Sequence, residues 1–264
     1  MRLGSVAWVK RVGVVVPTLG QRPDLIVDSL RSIRSAGNAY TIVVGPSESV
    51  RALNLSADLI DEFVSDPGGG AAAAINAGLR SMPDMVEFVS WLGDDDLLEP
   101  GALVAIENEL VKNDKNVAGY GMCRYINVNG EVIGQNRSGS WAVGLAKWGP
   151  DLIPQPGSLI RRRSLERLGG LNETLKWAFD LDLFLRLARD GNVVFCPQWV
   201  SSFRWHPGSL TAGQRQSSIQ ESRQVRQAAL RPGIRKVSWA WERPLCGLSW
   251  AAGLALSRRA QRNA

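Results

Sequence analysis

Cysteine is scarce in this chain: Cys123, Cys196 and Cys246 lie far apart and form no CxxC pair. That argues against a disulfide framework and a thiolate zinc site, and it fits a reducing compartment. Histidine is scarcer still, with His206 alone. Long apolar runs are absent: no stretch reaches the ~18–20 residues of a membrane span, and Met1 to Lys10 lacks the apolar segment of a signal peptide. The expected location is therefore cytoplasmic. Acidic residues thin out toward the C-terminus. Residues 204–264 carry eleven Lys or Arg against Glu221 and Glu242, a local +9 that leaves −3 for residues 1–203 out of the net +6. So basic a tail suits an anionic partner. Clustered base-stacking aromatics and an RNA-binding signature are missing, so nucleic acid is not expected and a phospholipid surface is favoured.

What is present is an alternation of buried strands and helices. Val12 to Val16, stopped by Pro17, is short and β-branched, as a buried strand is. From Pro23, apolar residues repeat at three and four until Gly37, which predicts a helix. Further strands are expected at Tyr40–Val44, Leu59–Val64 and Val86–Leu92, with a short helix at 48–55 and a small-residue helix over Ala71–Arg80 behind the glycines 68–70. Such spacing predicts βαβ units and a parallel sheet, whose ligands lie beyond the carboxyl ends of the strands. Asp94, Asp95 and Asp96 stand at one such end. Beyond them the sequence predicts a helix over 100–112, a hairpin around Asn129-Gly130 and a long loop over residues 135–158. Helices near 163–168 and 180–190, a strand near 193–196 and a polar helix near 217–230 follow.

Three adjacent carboxylates repel one another unless a cation or hydrogen-bond donors offset them. Mg²⁺ or Mn²⁺ takes one or two carboxylates plus phosphate oxygens, the chemistry that a nucleoside diphosphate leaving group requires. The same run also serves as a solvated cap on the following helix. Asp180 and Asp182 open an amphipathic helix whose partial positive end favours the ionised form. Either is a candidate general base, and either is equally an N-terminal cap. His206, in a strand-to-turn context, is a candidate metal ligand or an ordinary surface residue.

Five motifs then fall in register: Val14-Val-Val-Pro-Thr18, Arg22-Pro-Asp-Leu25, Gly70 to Gly78, Trp91 to Leu103 and Phe179 to Arg186. Together they resemble the family 2 glycosyltransferases of GT-A fold, over roughly residues 11–210. The resemblance implies a Rossmann-like, mostly parallel central sheet flanked by helices; a basic helical tail follows outside it. It divides the chain into a transferase domain (1–210) and an extension (211–264). It also implies an inverting, metal-dependent hexosyl- or deoxyhexosyltransferase. Asp96 and His206 would reach Mg²⁺ or Mn²⁺, and Asp180 would be the base. Pro17, Thr18, Arg22, Gly45, Asn76, Asp94, Asp95, Asp182 and Arg186 would surround the nucleotide-sugar. Three departures stand out. Gly93 replaces the acid or Asn that opens the family's metal motif, and Phe179 replaces the Glu before the catalytic aspartate. The aspartates that read the base after the second strand are also missing, since Gly45-Pro46-Ser47 follows Val44.

The implied partners are a nucleotide-sugar donor and a glycan or lipid-linked acceptor used in cell-surface polysaccharide or glycolipid synthesis. A catalytically silent nucleotide- or carbohydrate-binding scaffold is the alternative. In the tail, Trp239 and Trp241 interleave with arginines before the apolar stretch Leu245–Leu256. That pattern predicts an interfacial helix at the inner face of the cell membrane, or a helix packed on the domain or a second subunit.

Overall fold

A computed structural model describes residues 10–149, 151–206 and 214–262. Residues 1–9 and the expected turn at 207–209 lie outside the described residues. The chain is an α/β fold around one nine-stranded sheet, ordered β3-β2-β1-β4-β8-β6-β9-β5 with β7 paired to β6. Its first half comprises β1 (Val12–Pro17), β2 (Ala39–Gly45), β3 (Glu62–Ser65) and β4 (Phe88–Trp91), all parallel. The crossovers are α1 (Pro23–Ala36), α2 (Ser47–Ala52) and α3 (Ala71–Arg80).

The apolar β1 follows from a sheet covered on both faces. Val12, Val14 and Val16 pack toward α1, where Ile26, Leu30 and Ile33 form the buried stripe, while Val15 packs with α3 on the other face. α3 sits close because it is built from small residues: a Cβ on Gly78 would lie 2.7 Å from Val15.

Past β4 the sheet turns. The short β5 (Leu97–Leu98) pairs antiparallel with β9 (Asn192–Arg204). α4 (Ala102–Val111) precedes β6 (Asn116–Ile126), which forms the expected hairpin with β7 (Val132–Asn136). β8 (Leu159–Arg161) is wedged antiparallel between β4 and β6, and β6 runs parallel to β9. α5 (Trp141–Leu145) interrupts the expected long loop; α6 (Arg162–Arg167) and α7 (Phe179–Asp190) cover one face of the sheet. The extension contains α8 (Arg215–Ala229), α9 (Pro232–Val237) and α10 (Trp239–Arg262).

Three expectations need correction, and two short strands carried no expectation. β9 does not stop at Cys196 but runs on to Arg204, because its register with β6 slips around Pro197, whose missing N–H falls at the irregularity. β3 starts three residues later than expected, as a half-exposed edge strand. β5 and β8, two and three residues long, are too short to leave a periodicity. The apolar stretch at 245–256 is the middle of a 24-residue helix that passes through Pro244.

Candidate active site

The ends of β1 and β4 and the start of α7 converge on a cleft of about 450 Å³. The cleft gathers Pro17, Thr18, Arg22, Asp94, Asp95, Asp96 and Asp180. The acidic run emerges from buried β4 in a tight turn closed by the Asp96 N–H on Gly93 O. A Cβ at position 93 would lie 2.9 Å from Asp96 Oδ2, so glycine there makes room for the carboxylates.

Each of the three carboxylates has its own partners. Thr18 Oγ1 donates to Asp94 Oδ2 at 2.6 Å, and Arg22 reaches both Asp94 Oδ1 (3.1 Å) and Asp95 Oδ2 (2.6 Å). His206 Nε2 also meets Asp95 Oδ2, at 2.6 Å. Asp96 Oδ1 accepts from the Arg204 N–H at 2.8 Å. Burial pushes the Asp94 carboxyl up; burial and then the charge of Asp95 push Asp96 well up. Arg204 was not expected from the sequence, yet it is the staple of this turn. Its guanidinium donates to Asp95 O, Asn127 O and Val128 O from a buried position. An arginine directly before Trp205-His206 carries no pattern that separates such a staple from a surface cation.

These oxygens have the chemistry of a hard-cation site: three carboxyls, two of them buried, whose repulsion a divalent ion would relieve. Among the described residues no set of three or more acidic, His or Cys side chains is already gathered around a common point. The donor set fits a cation, with Arg22 now bridging Asp94 and Asp95.

Asp180 lies in the first turn of α7, part-buried, its Oδ1 accepting from the Leu181 N–H at 2.7 Å. Burial raises its carboxyl to about 6, and the charge of Glu221 adds to that. Asp151 shares the neighbourhood: desolvation and then the charge of Asp180 raise it, although its exposed surface lets water screen part of that shift. Phe179 is buried against Trp91, ring centroids 6.3 Å apart, which commits the position before Asp180 to the core.

Five expected site residues do not line the cleft. Asn76 is buried and strapped to Leu171, donating to its carbonyl at 2.9 Å and accepting from its N–H at 3.0 Å. Asp182 accepts from Arg186, whose other nitrogens donate to Leu168 O and Gly170 O, so this pair clamps the chain before α7. Gly45 serves close packing, since a Cβ there would lie 2.5 Å from Thr18 O. His206 does not line the cleft but meets Asp95 Oδ2 behind it. Conversely, Asp66, Gln155, Lys176 and Trp177 line the cleft unannounced. Asp66 follows β3, one strand later than expected for an acid that faces a base. Gln155, donating to Trp91 O at 2.8 Å, sits in aperiodic sequence that gave no signal.

The fold and cleft together define a GT-A-type α/β chain, and the comparisons with known proteins point the same way. No family model matches the chain. It is 30% identical over 191 residues to an uncharacterized glycosyltransferase of Rickettsia typhi, covering 66% of this chain and 57% of that protein. Chondroitin synthase of Pasteurella multocida is 28% identical over 130 residues, 49% of this chain and 13% of the synthase. The chain thus spans between an eighth and somewhat over half of the relatives it matches. Among solved structures, a mannosyltransferase of Pyrobaculum calidifontis in complex with GDP-Man and Mn²⁺ aligns with TM-score 0.63 and 19% identity, over 94% of this chain and 76% of that one. S. aureus TarS (residues 1–349) aligns with TM-score 0.60 and 13% identity, over 85% and 68%.

Proposed function

We propose that the chain is an inverting glycosyltransferase that uses a nucleotide-sugar donor. One observation carries this: Asp94–Asp96 and Asp180, more than eighty residues apart, share one cleft. In the proposed reaction Asp180 takes the proton of an acceptor hydroxyl. The oxygen attacks the anomeric carbon from the face opposite the leaving group, and the carbon–oxygen bond to the diphosphate breaks. A part-buried carboxyl at about 6 is ionised near neutrality yet basic enough for that role. Arg22 and Thr18 orient diphosphate oxygens at the cleft floor. Asp95 and Asp96, with His206 behind Asp95, would hold Mg²⁺ or Mn²⁺, which when bound offsets the diphosphate's charge. The complex of the Pyrobaculum enzyme with GDP-Man and Mn²⁺ makes GDP-mannose with Mn²⁺ a natural first donor to try.

The acceptor is a growing glycan or a lipid-linked sugar at the inner face of the cell membrane, reached through the extension. Support for a surface role comes from α10, where Trp239, Trp250 and Leu254 are exposed beside Arg243 and Arg258. Its one acid, Glu242, is buried against Arg223. No helix among the described residues is long and apolar enough to cross a membrane.

A thermal-shift screen of GDP-mannose, UDP-glucose and TDP-glucose, each with and without Mn²⁺, tests donor binding. A ligand at a hundred times its Kd stabilises by ~2.7 kcal/mol. A metal-dependent rise with one donor, followed by product of inverted anomeric configuration, is the expected result. Binding without transfer to any glycan or lipid acceptor would favour the silent scaffold.

A further inference from the structure

The C-terminal extension meets the site's edge through Glu221. Glu221, midway along α8, points its carboxylate at the turn that leads into α7. There Oε1 accepts from the Lys176 N–H at 3.0 Å, and Oε2 from the Trp177 and Ala178 N–H groups at 2.6 and 2.7 Å. These are donors at and just before the helix start, which α7 does not cap with a side chain of its own. Lys176 and Trp177 line the cleft, and Asp180 lies two residues past Ala178.

α8 is itself anchored: Arg223 and Gln227 donate to the buried Glu242 of α10 at 2.8 Å each. The only two acids in the basic 204–264 segment therefore both point inward. One ties α10 to α8, and the other ties α8 to α7.

We infer that Glu221 is a positioning residue for the reaction, holding the 176–178 turn and with it the Asp180 carboxylate in place across the cleft from the acidic run. Three charge-assisted hydrogen bonds on one carboxylate fix a backbone that is otherwise a loop. Glu221 occupies the N–H groups of 176–178, while the first-turn Leu181 N–H stays with Asp180 Oδ1 at 2.7 Å. The other charged groups around Asp180 are Asp151 from the 146–158 loop, Arg226 from α8, Lys176 on the turn and Asp94–Asp96 across the cleft.

This inference rests on Asp180 being the base, so the test separates the two. Full-length E221Q and E221A are compared with the native chain and with D180N in three measurements: amide hydrogen exchange at 176–181, the titration of Asp180 by carboxyl ¹³C NMR, and the pH profile of transfer from GDP-mannose. D180N assigns the NMR signal. In E221Q, which keeps shape but loses the charge, exchange at 176–178 should rise at least tenfold, and the Asp180 titration and the acid limb of the profile should both move to lower pH. kcat should fall more than tenfold with the donor KM within about twofold, and E221D should restore part of it. Unchanged exchange and titration in E221Q overturn the inference, as does a drop in kcat with no movement of the acid limb. Full activity in D180N instead overturns Asp180 as base, and the exchange and NMR results then still decide whether Glu221 positions it. Should E221A fail to fold, E221Q alone decides.

Discussion

At Asp180 burial and charge act together on one carboxyl. Burial penalises the ionised form and the charge of Glu221 adds to that, so protonation near pH 6 costs the folded chain little. A base must be deprotonated, so transfer should fall as pH drops through about 6, a limb that a pH–rate profile reads directly. D180N should cost about 10²–10⁴-fold in kcat while donor binding persists. The sign for stability is opposite. A carboxyl raised in the folded state contributes stability below its ordinary pKa and loses it as pH rises through about 6. D180N removes that loss, so it should melt above the native chain at neutral pH and level with it near pH ~4. Each kcal/mol gained is worth roughly 2–4 °C in a chain of this size. Arg204 is the opposite case. R204M would strand the carbonyls of Asp95, Asn127 and Val128 in a buried turn while keeping the backbone N–H on Asp96, and chemical denaturation should register a loss of ~1–3 kcal/mol.

Among the elements, sequence periodicity located those that bury one stripe or both faces. β1, α1 and α3 stand within a residue or two of expectation because valine runs and small-residue spacing have a single packing solution. β5, β8 and the second half of β9 were not legible, since tertiary pairing around a bulge, not local pattern, forms them. The site divides similarly. Asp94–Asp96 and Asp180 were readable as acids at a strand end and a helix start. Arg204, Gln155 and Glu221 were not, because each acts through backbone groups far away in sequence. Asn76 shows the converse, a motif residue whose role is a strap between α3 and Leu171. N76A should therefore destabilise by ~1–3 kcal/mol, with faster hydrogen exchange at 171 and nucleotide affinity unchanged. A tenfold loss of nucleotide affinity at unchanged stability would return Asn76 to the cleft.

For the whole molecule, the exposed tryptophans and arginines of α10 predict a salt-sensitive attraction to anionic bilayers. The full chain should co-sediment with phosphatidylglycerol vesicles, less at high salt and far less with phosphatidylcholine, and W239E/W250E should abolish it. If that double variant instead converts a dimer into monomers and vesicles never bind, the face belongs to a second copy. The long reach of Arg204 has a consequence of another kind. Its Nε meets Asp95 O across 109 residues, and its N–H caps Asp96 across 108. During synthesis the amino-terminal half emerges first, at ~5–20 residues per second. The acidic turn, with Thr18 and Arg22 already made, thus waits several seconds for the strand whose Arg204 completes it. A nascent chain shorter than about two hundred residues has the first strands of the sheet but not Arg204, so the acidic turn and the cleft around it are completed only when β9 has been delivered.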